Sequence, residues 1–280
     1  MLVGVLGDLH GRAFLGLLVA LEWQRRNGRR FDLIVQVGDL GKPEPDPNDP
    51  HVRLDPAEAD LGRLLGASGR RAENLRRAST LLPVPISFVR GNHDDPAWLE
   101  SLASDGPADP FGIFEYVRDG TTRTVADLNV GFLGGVEEET GPAGLDLAAL
   151  DRIATLGPGT VDLLVTHQGP YGTSTGFRGE IHGSPTISRL VEQLEPRWLV
   201  AGHAHTLHGP RAFGRTMYLG VDCIVCSPRW FPDVTTLQPG CLGVLDTASG
   251  SFLPVLDPWL SALDRRVDFD AYLESLSELS

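Results

Sequence analysis

Five short apolar runs organise this sequence, and a polar motif follows closely behind each of them. They are Leu2–Leu6 before Gly7-Asp8-Leu9-His10, Phe31–Val37 before Gly38-Asp39, and Val84–Val89 before Gly91-Asn92-His93-Asp94. Val161–Thr166 then precedes His167, and Arg197–Ala201 precedes Gly202-His203-Ala204-His205. Runs of this length without a helical period read as buried strands. Helical patterns lie between them. Ala13–Arg26 repeats its apolar residues at Phe14, Leu17, Leu18 and Leu21. Ser184-Pro185 opens another helix, Ser as N-cap and Pro at the first helical position, closing before Pro196. Strands alternating with helices predict an α/β sheet whose strands present their C-terminal ends to one crevice. All five polar motifs should gather there.

The remaining segments give a coarser reading. Lys42–Asp55 is acidic with four prolines and reads as a loop or partly ordered insertion. Ala57–Leu65 and Arg70–Leu82 have helical patterns, so the insertion as a whole covers about residues 43–80. Phe111–Thr124 and Val130–Leu133 resemble hairpin strands, and Met217–Val225 with Leu242–Leu256 predicts more β-structure. A terminal helix is expected at about 267–277. No repeat or linker divides the chain, so one domain over residues 1–280 is the expectation.

Composition narrows the partners. A net charge of −13 argues against gripping long nucleic acid by bulk electrostatics, while leaving a nucleotide or a short nucleic acid end within reach. Three cysteines are too few for a disulfide framework and fit a reducing compartment. Cys223 and Cys226 fall in the run Tyr218–Cys226, which reads as a strand. Residues three apart on a strand face opposite ways, so the pair is expected to be buried structural thiols that share no metal. No basic leader is visible, and no window reaches the roughly 20 apolar residues of a membrane span. A cytoplasmic protein without a membrane partner is expected.

The motifs carry the chemistry. Asp8 and His10 are two residues apart, as are His203 and His205, so in extended backbone each pair faces one side and offers two ligands to one spot. Asp39, Asn92 and His167 add single ligands from three other strand ends. Carboxylate with imidazole suits Mn, Fe, Zn or Ni better than Ca or Mg. Asp-x-His alone, or Gly-Asp after a strand, is common by chance; five such motifs in order, each behind an apolar run, are not.

In this order the motifs resemble the calcineurin-like metallophosphoesterase superfamily, and the match spans Gly7 to His205. The resemblance implies a four-layer α/β/β/α sandwich, two mixed β-sheets flanked by helices. It implies two divalent transition metal ions, Mn foremost with Fe, Zn or Ni as alternatives. Asp8, His10 and His205 would bind the first metal, Asn92, His167 and His203 the second, and Asp39 both. His93 would lie beside the pair as acid, with Asp94 fixing its ring. The implied reaction is hydrolysis of a phosphate ester by a metal-bridging hydroxide. A slight lean towards diesters of nucleotide-like or small molecules follows from the His acid, which suits an alkoxide leaving group; a phosphomonoesterase is the alternative.

The first motif is similar to that of Ser/Thr protein phosphatases and diadenosine tetraphosphatases, but Asp39 is followed by Leu40-Gly41-Lys42-Pro43, without the Arg those families bring to the phosphate. A protein phosphatase is therefore disfavoured, and Lys42 reads as a solvated loop residue. His51 is expected to be exposed, and His208 to lie near the ligands or on the surface. The Gly-rich stretch Tyr171–His182 follows His167, which makes Arg178 and His182 candidate substrate contacts. A non-catalytic protein-binding scaffold of the same fold is the rival from another class, but such scaffolds typically lose ligands or the acid, and this chain keeps both.

Overall fold

The computed structural model describes residues 1–102, 106–175 and 179–277. The strands are β1 (Leu2–Leu6), β2 (Leu33–Gln36), β3 (Ile86–Phe88), β4 (Phe114–Tyr116), β5 (Thr121–Val125), β6 (Leu128–Leu133) and β7 (Leu163–Thr166). There follow β8 (Ser174–Thr175), β9 (Ile181–His182), β10 (Trp198–Ala201), β11 (His208–Phe213), β12 (Thr216–Gly220), β13 (Leu242–Asp246) and β14 (Ser251–Pro254). One six-stranded sheet runs β14-β13-β1-β2-β3-β4, and the other β11-β12-β10-β7-β6-β5. In the first sheet β1 to β4 are parallel, while β13 and β14 return antiparallel. In the second, β12, β10, β7 and β6 are parallel, with antiparallel β11 and β5 at the edges. Both sheets are therefore mixed. β8 and β9 form a separate two-stranded ribbon.

Alternation along each strand builds the layers. In β1, Val3 and Val5 join Val35 and Val37 in a core that also contains Val130, Phe132, Val165, Val200 and Leu219 of the second sheet. Leu2 and Leu6 point the other way, into a cluster with Phe14, Leu17, Leu18 and Leu21 of the helix Ala13–Asn27. Leu164 and Leu199 likewise meet Ala149 and Ile153 of the helix Leu147–Ala154 and Ile187 and Leu190 of the helix Pro185–Leu194. The result is the expected helix, sheet, sheet, helix sandwich. Each fully buried Val or Leu contributes roughly 1.5–3 kcal/mol, and strands buried on both faces account for the continuous apolar runs.

Three sequence expectations need correction. Phe111–Thr124 does not make one hairpin strand: β4 pairs with β3 in the first sheet, and β5 pairs with β6 in the second. The chain crosses between sheets at residues 117–120, where Val117 donates to the Phe88 carbonyl and Gly120 to that of Phe132. Met217–Val225 is strand only to Gly220. Beyond it the backbone bonds elsewhere, Asp222 N–H to Gly240 and Ile224 N–H to Asp8, so Cys223 and Cys226 lie in a loop. Their thiols hydrogen-bond to each other instead of facing apart. Lys42–Asp55 also contains a short helix, Pro50–Leu54, capped by Asp49.

Candidate metal centre

Each motif leaves the C-terminal end of its strand through a sharp turn: β1, β2 and β3 from the first sheet, β7 and β10 from the second. His10, Asp39, His203 and His205 take the left-handed backbone conformation, φ 46°, 56°, 64° and 48°. That conformation is costly for side-chain-bearing residues, and here hydrogen bonds between motifs hold it. Leu9 and His10 donate their backbone N–H to the Asp39 carbonyl at 3.0 and 2.8 Å. His203 N–H points at the Asp8 carboxylate, 3.1 Å from Oδ2, and His93 N–H at Asp39 Oδ1, 2.8 Å. Glycine is required where the turns close on these carboxylates: a Cβ on Gly91 would collide with Asp39 Oδ1, and one on Gly202 with Asp8 Oδ1.

The side chains converge. The Nε2 atoms of His10 and His205 stand 2.9 Å apart, and His205 Nε2 is 3.0 Å from Asp8 Oδ2. Ligand atoms of Asp8, His10, Asp39 and His205 all lie within 4.8 Å of one another. On the other side of Asp39, His167 Nε2 is 3.1 Å from Asn92 Oδ1, and the rings of His167 and His203 are 5.0 Å apart. The buried Asp39 Oδ2 lies between the groups, 3.8 Å from His10 Nε2 and 3.6 Å from His167 Nε2, with no hydrogen-bond partner among the described residues. A buried carboxylate oxygen without a donor is expensive unless a cation meets it. The donor set fits divalent metal.

Electrostatics favour the same occupant. Burial opposes the charge on Asp8, but the hydrogen bond from His205 and the surrounding imidazoles outweigh it and hold the carboxyl well below the usual range. Burial and neighbouring imidazole charge drive His10 far down, and His203 down to about 3. Both are therefore neutral with a lone pair to offer. His167 donates Nδ1–H to the Val37 carbonyl at 2.8 Å, which leaves Nε2 free to ligate.

The family model for calcineurin-like phosphoesterase matches residues 1–207, most of the chain and every motif above. The chain belongs to that family. Its fold is similar to that of TT1561 of Thermus thermophilus, at TM-score 0.52 and 12% identity over 90% of this chain and 97% of that one. It is also similar to a dimetal phosphatase from Danio rerio, at TM-score 0.52 and 11% identity over 87% and 91%. At such identities the likeness is one of fold. A UPF0046 protein of Caenorhabditis elegans, K07C11.7, is 31% identical over 62 residues, 22% of this chain and about a fifth (21%) of that relative. Among the described residues no helix is long and apolar enough to cross a membrane.

Other residues sit differently from expectation. Asp94 does not hold the His93 ring: its Oδ2 accepts from the backbone N–H of Gly91 (2.6 Å) and Asp39 (3.2 Å), its Oδ1 from that of Gly41 (2.7 Å). It clamps the second and third motifs together, and burial beside Asp39 pushes its carboxyl up to about 7. His93 is exposed at the mouth, its ring 5.4 Å from that of His10. His51 is half-buried, its Nδ1 3.2 Å from Ser227 Oγ, and His208 Nε2 accepts from Thr175 N–H. His182 pairs with Glu180 at 3.3 Å, and Lys42 is exposed; Arg178 lies outside the described residues.

Two supports escaped the sequence reading. Gln36, fully buried at the end of β2, donates to the Gly7 carbonyl and accepts from Gly38 N–H, which joins the first two motifs. Arg12, 1% exposed, binds Asp55 and Glu58 at 2.8 Å each and so ties the segment that holds them to the first motif. Neither residue type announces such a role in a sequence.

Proposed function

We propose that the chain is a dinuclear-metal phosphoesterase. Asp8, His10 and His205 hold one cation, Asn92, His167 and His203 the other, and Asp39 is shared. The observation that carries this reading is Asp39 Oδ2, buried, without a hydrogen-bond partner among the described residues, and flanked at similar distances by imidazole nitrogens of the two groups. Mn is the metal expected first, with Fe, Zn or Ni as alternatives, since carboxylate and amide oxygens suit Mn while the imidazoles suit the others equally. Two such cations would lower the pKa of a water towards neutrality and draw charge from the phosphate oxygens.

The chain's own residues supply the rest. Neutral His10 and His203 keep their lone pairs available, ionised Asp8 brings negative charge that retains the cations, and Asp39 offers the carboxylate oxygen between the two groups. His93, exposed with its ring 5.4 Å from that of His10, stands beside the candidate ligands where it can meet a substrate; its imidazolium would give a proton to the departing oxygen or steady charge on the phosphoryl group. That donor is worth most for an alkoxide leaving group, which diesters and alkyl monoesters share; the reading leans slightly to diesters, nucleotide-like or small, with a monoesterase as the alternative. The retained ligands and acid speak against a non-catalytic scaffold.

The test pairs metal analysis with hydrolysis of bis(p-nitrophenyl) phosphate and p-nitrophenyl phosphate in Mn. Wild-type chain is expected to carry two metals and cleave the diester faster, and Asp39→Ala to lose both metals and turnover. Faster monoester cleavage would overturn the diester preference; a wild-type chain that binds no transition metal would overturn the whole reading.

A further inference from the structure

The loop that follows β12 carries two thiols that the metal centre does not use, Cys223 and Cys226, and it is fastened to that centre. Between them, Ile224 donates its N–H to the Asp8 carbonyl at 2.9 Å and accepts from Gln238 N–H at 3.0 Å. Just before them, Asp222 N–H bonds the Gly240 carbonyl at 3.1 Å. The Asp222 carbonyl packs so closely on the first motif that a Cβ on Gly7 would lie 1.7 Å from its oxygen. Ile224 and Val225 are buried in the core cluster that also holds Leu9 and Leu237. The span between the two cysteines is thus pinned at its middle to the backbone of a candidate ligand.

Both cysteines are free, and their thiols are in hydrogen-bond contact. Cys223 is 2% exposed, whereas Cys226 is only half-buried. Two thiols in contact, one reachable and one enclosed, match the arrangement of an attacking and a resolving cysteine. The hydrogen bond between them draws the Cys226 thiol down from its ordinary range and, with burial, pushes that of Cys223 up. Cys241, the third thiol, is wholly buried in the core.

We infer that Cys223 and Cys226 form a disulfide on exposure to a hydroperoxide, and that this bond acts on the first motif through Ile224. The Cys226 sulfur attacks the peroxide, the oxygen–oxygen bond breaks, and an alcohol or water leaves with the thiol proton while a sulfenic acid forms. The Cys223 sulfur then attacks the Cys226 sulfur, and the hydroxyl departs with the second thiol proton as water. Two sulfurs have together given two electrons to the peroxide. The bond draws the sulfurs to about 2.05 Å, closer than any hydrogen-bond contact. That contraction closes the ends of the span over Ile224 and loosens its hold on Asp8. The effect on metal rests on the proposed dinuclear centre; the disulfide does not.

The test treats full chain, with and without Mn, with hydrogen peroxide, then blocks free thiols with a maleimide under denaturing conditions before tryptic mass mapping. Cleavage after Arg215 and Arg229 leaves Cys223 and Cys226 in one peptide and Cys241 in the next. The first peptide should be lighter by two hydrogens and unlabelled, and should take two labels after dithiothreitol, with Cys241 labelled throughout. Cys223→Ser should stop at a Cys226 that reacts with dimedone. Cys226→Ser should slow the reaction of this peptide about tenfold or more, since an enclosed thiol is inert, and it keeps the test decisive if Cys223→Ser fails to fold. A peptide still doubly labelled after peroxide, or a Cys226→Ser chain that reacts like wild type, would overturn the pair. In oxidised chain the Ile224 amide should exchange faster with solvent, and Mn should bind about tenfold more weakly, the effect of one lost hydrogen bond. Unchanged exchange at Ile224 in the disulfide form would overturn the coupling. If reduced chain binds no Mn, the metal reading falls by itself, and the disulfide is judged by the peptide and by Ile224.

Discussion

Replacing Asp94 with alanine removes an acceptor that three backbone N–H groups share, those of Asp39, Gly41 and Gly91. A buried donor stranded in this way costs roughly 1–3 kcal/mol, so the ceiling is about 9 kcal/mol, comparable with the whole stability of a domain at about 5–15 kcal/mol. The actual loss should fall near the lower end, about 3 kcal/mol. Asp94 borders a cavity of about 450 Å³, from which water can enter the space the carboxylate leaves. Asp94→Asn should cost less, about 1–3 kcal/mol, because one orientation of the amide keeps its oxygen on the two donors at Oδ2 and misplaces only the one at Oδ1. Urea unfolding at fixed Mn measures both values, and a Mn titration should show weaker binding in step, since the clamp sets the turn that carries Asp39. If Asp94→Ala unfolds like wild type, binds Mn equally and differs only in the pH profile of turnover, Asp94 acts on the His93 imidazole and the clamp assignment is wrong.

Three further perturbations follow from the same contacts. His93→Ala should keep its metal and lose about 10²–10⁴-fold in turnover, read by steady-state hydrolysis with metal analysis; wild-type turnover would remove His93 from the reaction. Arg12→Leu leaves Asp55, 1% exposed, without its cation and should cost about 3–5 kcal/mol in urea unfolding, much of it recovered when Asp55 also becomes Leu; a cost below about 1 kcal/mol would contradict this. Burial pushes Asp60 from 3.8 up to about 6, so folded chain holds that proton more tightly than unfolded chain, and its contribution to stability is complete below about pH 4 and lost as pH rises through 6. Asp60→Asn should therefore gain on wild type across that window by on the order of 2–3 kcal/mol in unfolding titrations at several pH values, and a constant difference would show that the shift is absent.

The sequence was most legible where burial on two faces makes a strand uniformly apolar, because such a run can end only where the chain reaches solvent or a site. That is why five strand ends and seven candidate ligands could be read together. Legibility failed where an apolar run serves two purposes. Val221–Val225 reads as a continuation of β12, yet Ile224 N–H bonds the Asp8 carbonyl and bends the segment into a wall of the centre. Phe111–Thr124 reads as one strand, yet residues 117–120 pass between sheets. Asp94 reads differently from the sequence for another reason: its neighbour in sequence is His93, while its hydrogen-bond partners are backbone groups, two of them more than fifty residues away. Polar side chains that bind backbone leave no pairing signal in the residues they hold.

Four of the seven candidate ligands, His10, Asp39, His203 and His205, hold a left-handed conformation that costs each of them about 1–2 kcal/mol. Nothing in residue type compels it, since Gly would adopt it more cheaply, and flanking glycines are present in every one of these motifs. Ligand chemistry and backbone preference therefore conflict at these positions. The conflict persists because contacts between motifs over-determine the turns: the Asp39 carbonyl takes two N–H groups from the first motif, and the Asp8 carboxylate takes the N–H of His203. Each motif is thus held by another, and strain at one cannot relax without releasing its neighbour. A sequence can reveal which residues are spent on ligation, because their type is unusual after an apolar run. It cannot reveal how they are aimed, because the aiming resides in hydrogen bonds between segments as much as 195 residues apart.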